Sequence, residues 1–469
     1  MTATSHLTWR RRSSRTLCVL AVAALGLAAV ACGDDDDDSA EPGATGEAPS
    51  GDGGAITVAI VGNPQMEDIS ALTPDLFTAE TGIEVNYSVL EEGTLREVVT
   101  RDIGGGGEQF DVVMIGNYEA PQFGANGWLV DLTPYAEEDD SYQLDDLIPT
   151  VREALTVEDQ LYASPFYAES SFLMYRTDVL EAAGLTMPEN PTWDEVAEIA
   201  RAVDSDEMAG ICLRGKPGWG DLGASFTTVL NTFGGTWWSA NDDGTVAEAQ
   251  VDQPEFKEAL QFYVDLIHDA GEDDAANASY NECLAQYRDG QVAMWYDATV
   301  AAGTLEADDS PVQGMNGYVT APVKETEASG WLWTWALAIP QNSPDPDTAW
   351  EYVSWASGPD YIAAAGEQVP GGWAAIPPGT RASTYEIPEY QEAAGAFADV
   401  TLESMEAAPI DNPGTTPRPG VPGVQFVGIP EFQDVGTRCT EQFSSVISGS
   451  VDIDAALSAC HDIASEVGG

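Results

Sequence analysis

The chain has 469 residues and a formal net charge of −62, with 79 aspartates and glutamates against 17 lysines and arginines. Such a surface repels nucleic-acid phosphates and anionic head groups, so neither is expected as a ligand, and it suits solubility at high salt. A hydrophobic content of 43% with 9% aromatics excludes wholesale disorder, and the length exceeds what one hydrophobic core organises, so two domains are expected.

In chain order, Arg10, Arg11, Arg12 and Arg15 precede an uncharged apolar run over 16–31, followed by Cys32, Gly33 and the acidic run 34–38. A basic region, a short apolar core and small residues before a cut site make a secretory signal over 1–31. The run is too short for a comfortable bilayer span, and no hydrophobic stop-transfer segment follows it. Ala29, Val30, Ala31 and Cys32 resemble a bacterial lipobox, which implies lipidation of Cys32; the plainer alternative is ordinary secretion. Residues 32–54, rich in Asp, Gly, Ala, Ser and Pro, read as a flexible tether. Removing the four arginines of the leader leaves 13 cations against 79 acids, a mature charge of about −66.

Order is expected to begin with a doubly buried strand over 56–61, bounded by Gly62 and Asn63. A helix over 66–80, a strand over 83–90, a helix over 92–102 and a strand over 110–115 then alternate as βαβ units on a parallel sheet. Ligands bind beyond the carboxyl ends of such strands, here at Asn63, at Glu91 and Glu92, and at 116–119. A second α/β region begins near Ser164, with apolar segments at 172–175, 211–213 and 294–295 and helices over 195–203 and 254–270. Beyond Trp331 a strand over 335–339 and a helix over 346–357 suggest a chain returning to its first lobe. Residues 409–422 read as a surface connection, and 430–467 as a helical pair.

Histidine is nearly absent, with only His6, His268 and His461, and the HExxH, GxSxG and Walker motifs are missing. A Ser-His-Asp triad and a histidine metal site are therefore not expected. A two-carboxylate glycosidase is not excluded, although among 79 acids a close pair carries little information. Apart from Cys18 and Cys32, the cysteines Cys212, Cys283, Cys439 and Cys460 allow three pairings. Cys439 and Cys460 lie in helix-like segments on either side of the turn 448–450, which favours their pairing and leaves Cys212 with Cys283. The absence of CxxC argues against redox or zinc chemistry.

Aromatic residues beside polar groups stand at 166–171, 214–219, 237–238 and 331–335. Tryptophan faces cover the C–H faces of a polyhydroxy ligand, while carboxylates and guanidinium groups meet its hydroxyls. The competing reading is core packing, which is stronger for Trp237 and Trp238 than for Trp331, Trp333 and Trp335, whose period-two spacing puts them on one strand face. Arg214 and Lys216 stand out among so few cations, though salt bridges would also explain them.

These segments, with Phe110, Asp111 and Val112, Ile115 to Pro121, Tyr162 to Ser171, Gly210 to Trp219, Met294 to Ala302, Trp331 to Pro340, Pro377 to Arg381 and Gly423 to Phe432, resemble the extracytoplasmic solute-binding proteins of ABC transporters, most closely the sorbitol/mannitol (polyol) branch. The turn Gly62-Asn63-Pro64-Gln65 departs from the Asn-richer turn of that branch. The resemblance implies an α/β, two-lobed periplasmic-binding-protein-like fold of type II, with a ligand cleft between lobes joined by crossing segments. Lobe 1 is then 55–165 plus 331–380, and lobe 2 is 166–330 plus 381–469. It implies ligand contacts at Asn63, Glu91, Tyr118, Glu119, Tyr167, Glu169, Arg214, Trp219, Asp297, Trp333 and Trp335. Glu119, Glu169 and Asp297 would accept hydroxyl protons, Arg214 would donate, and the tryptophans would stack on the carbon chain. A monomeric carrier without enzymatic activity, cofactor or metal is expected, lipid-anchored on the outer face of the cytoplasmic membrane and partnered by ABC permease subunits. Its ligand would be a mannitol-, sorbitol- or arabitol-like polyol. The alternatives are a binding protein for a cyclic sugar or oligosaccharide and, from another class, a secreted carbohydrate-active enzyme.

Overall fold

The computed structural model describes residues 54–420 and 423–467; the expected leader, Cys32 and most of the tether lie outside the described residues. Strand β1 (Ala55–Val61) is almost wholly buried from Val58 onward, as a strand covered on both faces should be. It pairs in parallel with β2 (Glu84–Leu90) and β3 (Val112–Gly116). Helix α1 (Pro64–Thr73) follows β1 and continues through a widened turn over Pro74–Thr78. Pro74 has no N–H to give the preceding turn, so the helix loosens there without ending. Helix α2 (Glu92–Gly104) follows β2, and α3 (Glu119–Ala125) follows β3.

The next strands are β4 (Ser164–Glu169), β5 (Ser171–Arg176), β6 (Met294–Ala298), β7 (Asn316–Thr320) and β8 (Trp333–Ala338). The first sheet runs β2-β1-β3-β8-β4 and the second β6-β5-β7. The first sheet is mixed, because β8 on the returning chain runs antiparallel to both β3 and β4. The second sheet is antiparallel throughout. In the apolar segment 211–213, Ile211 and Cys212 form single bridges, to Gly271 and Trp295.

The chain passes from one sheet to the other at Ser170, between β4 and β5, a few residues beyond the predicted boundary at 165. Ser170 is held there by Thr299, whose Oγ1 accepts from its N–H at 3.1 Å, and its own hydroxyl donates to Ser404 O at 3.0 Å. The chain returns at Trp331, whose N–H donates to Ser171 Oγ at 3.2 Å. The predicted C-terminal helical pair spans Phe432–Ile447 and Ile453–Ala464 and is stapled by a Cys439–Cys460 disulfide; Cys212 is bonded to Cys283. Trp237 and Trp238 are core: both are buried, and their indoles donate to Thr227 Oγ1 at 3.0 Å and Ala464 O at 2.9 Å. Among the described residues no helix is long and apolar enough to cross a membrane.

Candidate functional site

The carboxyl ends of the parallel strands end in helix caps, and those caps face the second lobe. Asn63 caps α1 by accepting from Met66 N–H at 3.1 Å, and its amide donates to the Tyr167 hydroxyl at 2.8 Å. Glu91 caps α2 through Thr94 N–H at 3.3 Å and is met from the other side by the Lys216 ammonium. Asn281 donates to Gly62 O at 2.9 Å. The cleft is therefore bridged at its mouth.

Behind these bridges is a cavity lined by Asn63, Glu91, Tyr167, Glu169, Arg214, Trp219, Trp333 and Trp335, all predicted contacts. Glu92, Arg96, Lys216, Asp221, Ser279, Tyr280, Trp331 and Gln425 also line it. It offers about 70 Å³ to the centres of water-sized spheres. That is several times the roughly 10–15 Å³ one water needs, and it suits a small solute. Gly116 makes room for its wall, since a Cβ there would lie 2.0 Å from the Trp333 ring.

Tyr118, Glu119 and Asp297 do not line the cavity. Each is engaged by protein groups behind it. The Tyr118 hydroxyl donates to Ile429 O at 2.8 Å. Glu119 accepts from Arg96 Nη1 at 2.6 Å and from Gly116 N–H at 3.0 Å. Asp297, fully buried, accepts from Arg214 Nε at 2.9 Å and Nη2 at 2.6 Å, from the Trp295 indole at 3.1 Å and from Ala298 N–H at 2.7 Å. The direct hydroxyl contacts predicted for Glu119 and Asp297 thus meet carboxylates already committed to guanidinium groups.

Arg96 is the principal residue absent from the predicted set. Its guanidinium carbon lies 4.3 Å from the Trp219 ring centroid and 4.7 Å from those of Trp333 and Trp335, in cation–π geometry. Glu92, one helical turn earlier, accepts from it at 2.8 Å. Phe426 closes the aromatic wall, with its ring centroid 6.0 Å from Trp333 and 5.2 Å from Tyr118.

Burial drives the electrostatics. It pushes the Glu169 carboxyl well above the ordinary range, against the pull of Arg214. Asp221 is pushed up to about 7, by burial first and the Glu92 charge second. Glu272, beside the Cys212–Cys283 bond, is pushed up to about 7 by burial. A carboxyl with a raised folded-state pKa binds its proton more tightly in the native chain. Its stabilising contribution is complete below the unfolded value near 4 and is lost as the pH rises through about 7. Asp221→Asn, which fixes the neutral form, is expected to raise the melting temperature relative to wild type more at pH 8 than at pH 5. Thermal unfolding at both pH values checks this; an equal shift at both would refute the assignment.

A two-lobed α/β scaffold with one enclosed polar–aromatic cleft defines a solute-binding protein, and the comparisons agree. The family model of the bacterial extracellular solute-binding proteins matches residues 63–363, and the chain belongs to that family. It is 40% identical to the mannitol-binding protein of Pseudomonas aeruginosa over 408 residues, covering 86% of this chain and 91% of that one. The erythritol/L-threitol-binding protein of Mycolicibacterium smegmatis is 26% identical over 324 residues, covering 65% and 67%. Among solved structures, an ABC transporter solute-binding protein of Agrobacterium vitis S4 with bound D-mannitol superposes with a TM-score of 0.84. It is 42% identical, and the match covers 88% of this chain and 98% of that one.

Proposed function

We propose that the cavity binds one acyclic polyol, mannitol or a related hexitol or pentitol, and that the protein delivers it to an ABC importer. The observation that carries this reading is a set of buried polar atoms on cavity-lining residues. Trp219 Nε1, Tyr280 Oη and Gln425 Oε1 have no hydrogen-bond partner among the described residues. Leaving such a group unpaired costs about 1–3 kcal/mol, and a ligand hydroxyl, donor and acceptor at once, can answer each kind. The aromatic wall of Trp219, Trp331, Trp333 and Trp335 suits the C–H faces of the same ligand. The similarity to a mannitol-binding protein and to a structure holding D-mannitol supports the choice.

In this reading Asn63, Glu91, Tyr167, Glu169 and Arg214 meet hydroxyls, while Tyr118, Glu119 and Asp297 hold the contacting groups from behind. The two lobes, between which the chain crosses at Ser170 and Trp331, close about those crossing segments, and the closed form is what the permease recognises. Signal cleavage after residue 31 and lipidation of Cys32 tether a monomer to the outer face of the cytoplasmic membrane. The protein carries its ligand without chemistry, cofactor or metal.

Calorimetry of residues 33–469 against hexitols, pentitols, cyclic sugars and maltodextrins tests the reading. One acyclic polyol binding with a stoichiometry near one is the expected result. Binding of cyclic sugars or maltodextrins alone would move the assignment to the sugar alternative, and turnover of a glycoside would replace a carrier with an enzyme.

A further inference from the structure

The cations of the cavity are all spoken for. Arg96 pairs with Glu92 at 2.8 Å and Glu119 at 2.6 Å, Arg214 with Asp297 at 2.6 Å, and Lys216 with Glu91. Every guanidinium nitrogen of the two arginines already donates to a protein oxygen, Arg214 Nη1 reaching Gly220 O at 2.9 Å. Besides the exposed Glu282, which accepts from Ser279 N–H at 3.1 Å, two buried lining carboxyls remain, Glu169 at 5% exposure and Asp221 at 2%. Neither belongs to an ion pair among the described residues. Asp221 is answered by the Ser279 hydroxyl, and Glu169 feels the charge of Arg214, itself paired with Asp297, and interacts with the Trp331 indole.

A cavity with surplus carboxyls and no free cation treats charged ligands unequally. A bound carboxylate or phosphate would meet cations that protein carboxylates already neutralise, and beside Glu169 and Asp221 its own charge would stay uncompensated. A primary ammonium brings three donors and the opposite charge. Its desolvation offsets much of the Coulombic gain, so an affinity comparable to that of the neutral ligand is expected, not a far tighter one.

Resting on the polyol reading above, we propose that this site selects by charge. It takes neutral polyols and also aminopolyols, in which one terminal hydroxyl is replaced by a primary ammonium with Glu169 as its counter-ion, and it rejects the corresponding polyol carboxylates and phosphates. Burial raises the proton affinity of Glu169 even though the Arg214 charge lowers it, consistent with a carboxyl outside the protein's own ion pairs.

The test uses three probes that differ only at one terminus: D-mannitol, 1-amino-1-deoxy-D-mannitol and D-mannonate, titrated calorimetrically into the mature chain at pH 7. The amine is expected to bind within about tenfold of mannitol and to compete with it, and mannonate to bind at least about a hundredfold more weakly. Glu169→Gln should shrink the ratio of amine to mannonate affinity by at least about tenfold, whatever it does to mannitol itself. Mannitol binding with mannonate equally tight, or with the amine excluded, overturns the charge selection while the polyol reading stands. An unchanged amine-to-mannonate ratio in Glu169→Gln removes Glu169 as the counter-ion. Silence towards all three probes, with the wider panel silent as well, sinks the polyol reading and this inference with it.

Discussion

Asp297→Ala is expected to destabilise the protein by about 3–5 kcal/mol and to abolish measurable polyol binding. The carboxylate is fully buried at the end of β6 and holds Arg214 through two parallel hydrogen bonds of 2.9 and 2.6 Å. Alanine would leave a guanidinium that is itself 5% exposed without its counter-ion and would orphan the Trp295 indole and the Ala298 N–H. The loss reaches the cavity because Arg214 lines it and because the Tyr263 hydroxyl is anchored on Arg214 O at 2.7 Å. Asp297→Asn keeps the shape and one acceptor but not the charge, so it should fall between alanine and wild type. Denaturant unfolding and mannitol calorimetry on the same samples check both effects. A stable Asp297→Ala variant with wild-type affinity would show that Arg214 finds its position without the pair.

The elements nearest β1 were readable because their apolar patterns are local. The continuous run Ile56 to Val61 can only be covered on both faces, and Asn63 is a cap-type residue at a strand-to-helix turn. The tryptophans at 331, 333 and 335 signalled a shared face, and all three do line the cavity. The direction of β8 was not readable, because it depends on where a chain more than two hundred residues beyond β3 re-enters the sheet. Arg96 escaped notice for a related reason. Beside Glu92 it reads as an ordinary helical ion pair with i,i+4 spacing, and only tertiary packing brings Trp219, Trp333 and Trp335 around it. Glu119 and Asp297 carried the right chemistry for a hydroxyl. Sequence could not show that buried arginines had already claimed them. Gln425 sits close to a Pro- and Gly-rich connection whose composition says surface, yet its amide is buried and donates to Leu332 O at 3.1 Å.

Arg96→Met should rival Asp297→Ala, with a loss of about 3–5 kcal/mol and a weakening of polyol binding by more than about tenfold. Methionine retains much of the apolar contact with the three indoles, so the effect isolates the charge. Without the guanidinium, Glu119 at 2% exposure keeps only Gly116 N–H, and Glu92 loses its partner one helical turn away. Two carboxylates would then face the tryptophan wall, whose orientation Arg96 sets by lying 4.3 to 4.7 Å from each ring. Adding Glu119→Gln to Arg96→Met removes one of the orphaned charges. It should recover about 0.5–3 kcal/mol, the coupling expected of residues in one ion-pair network. Denaturant unfolding of the two single variants and the double variant measures that coupling, and tryptophan fluorescence reports whether the wall has moved. Additive losses would mean that Glu119 is held by Gly116 alone. In that case Arg96 would act on the ligand through the indole faces and not through the buried carboxylate, and the fluorescence change should persist in the double variant. Recovery of stability without recovery of affinity would separate the two roles: Glu119 would fix the guanidinium, and the guanidinium would fix the stacking surface on which the polyol reading depends.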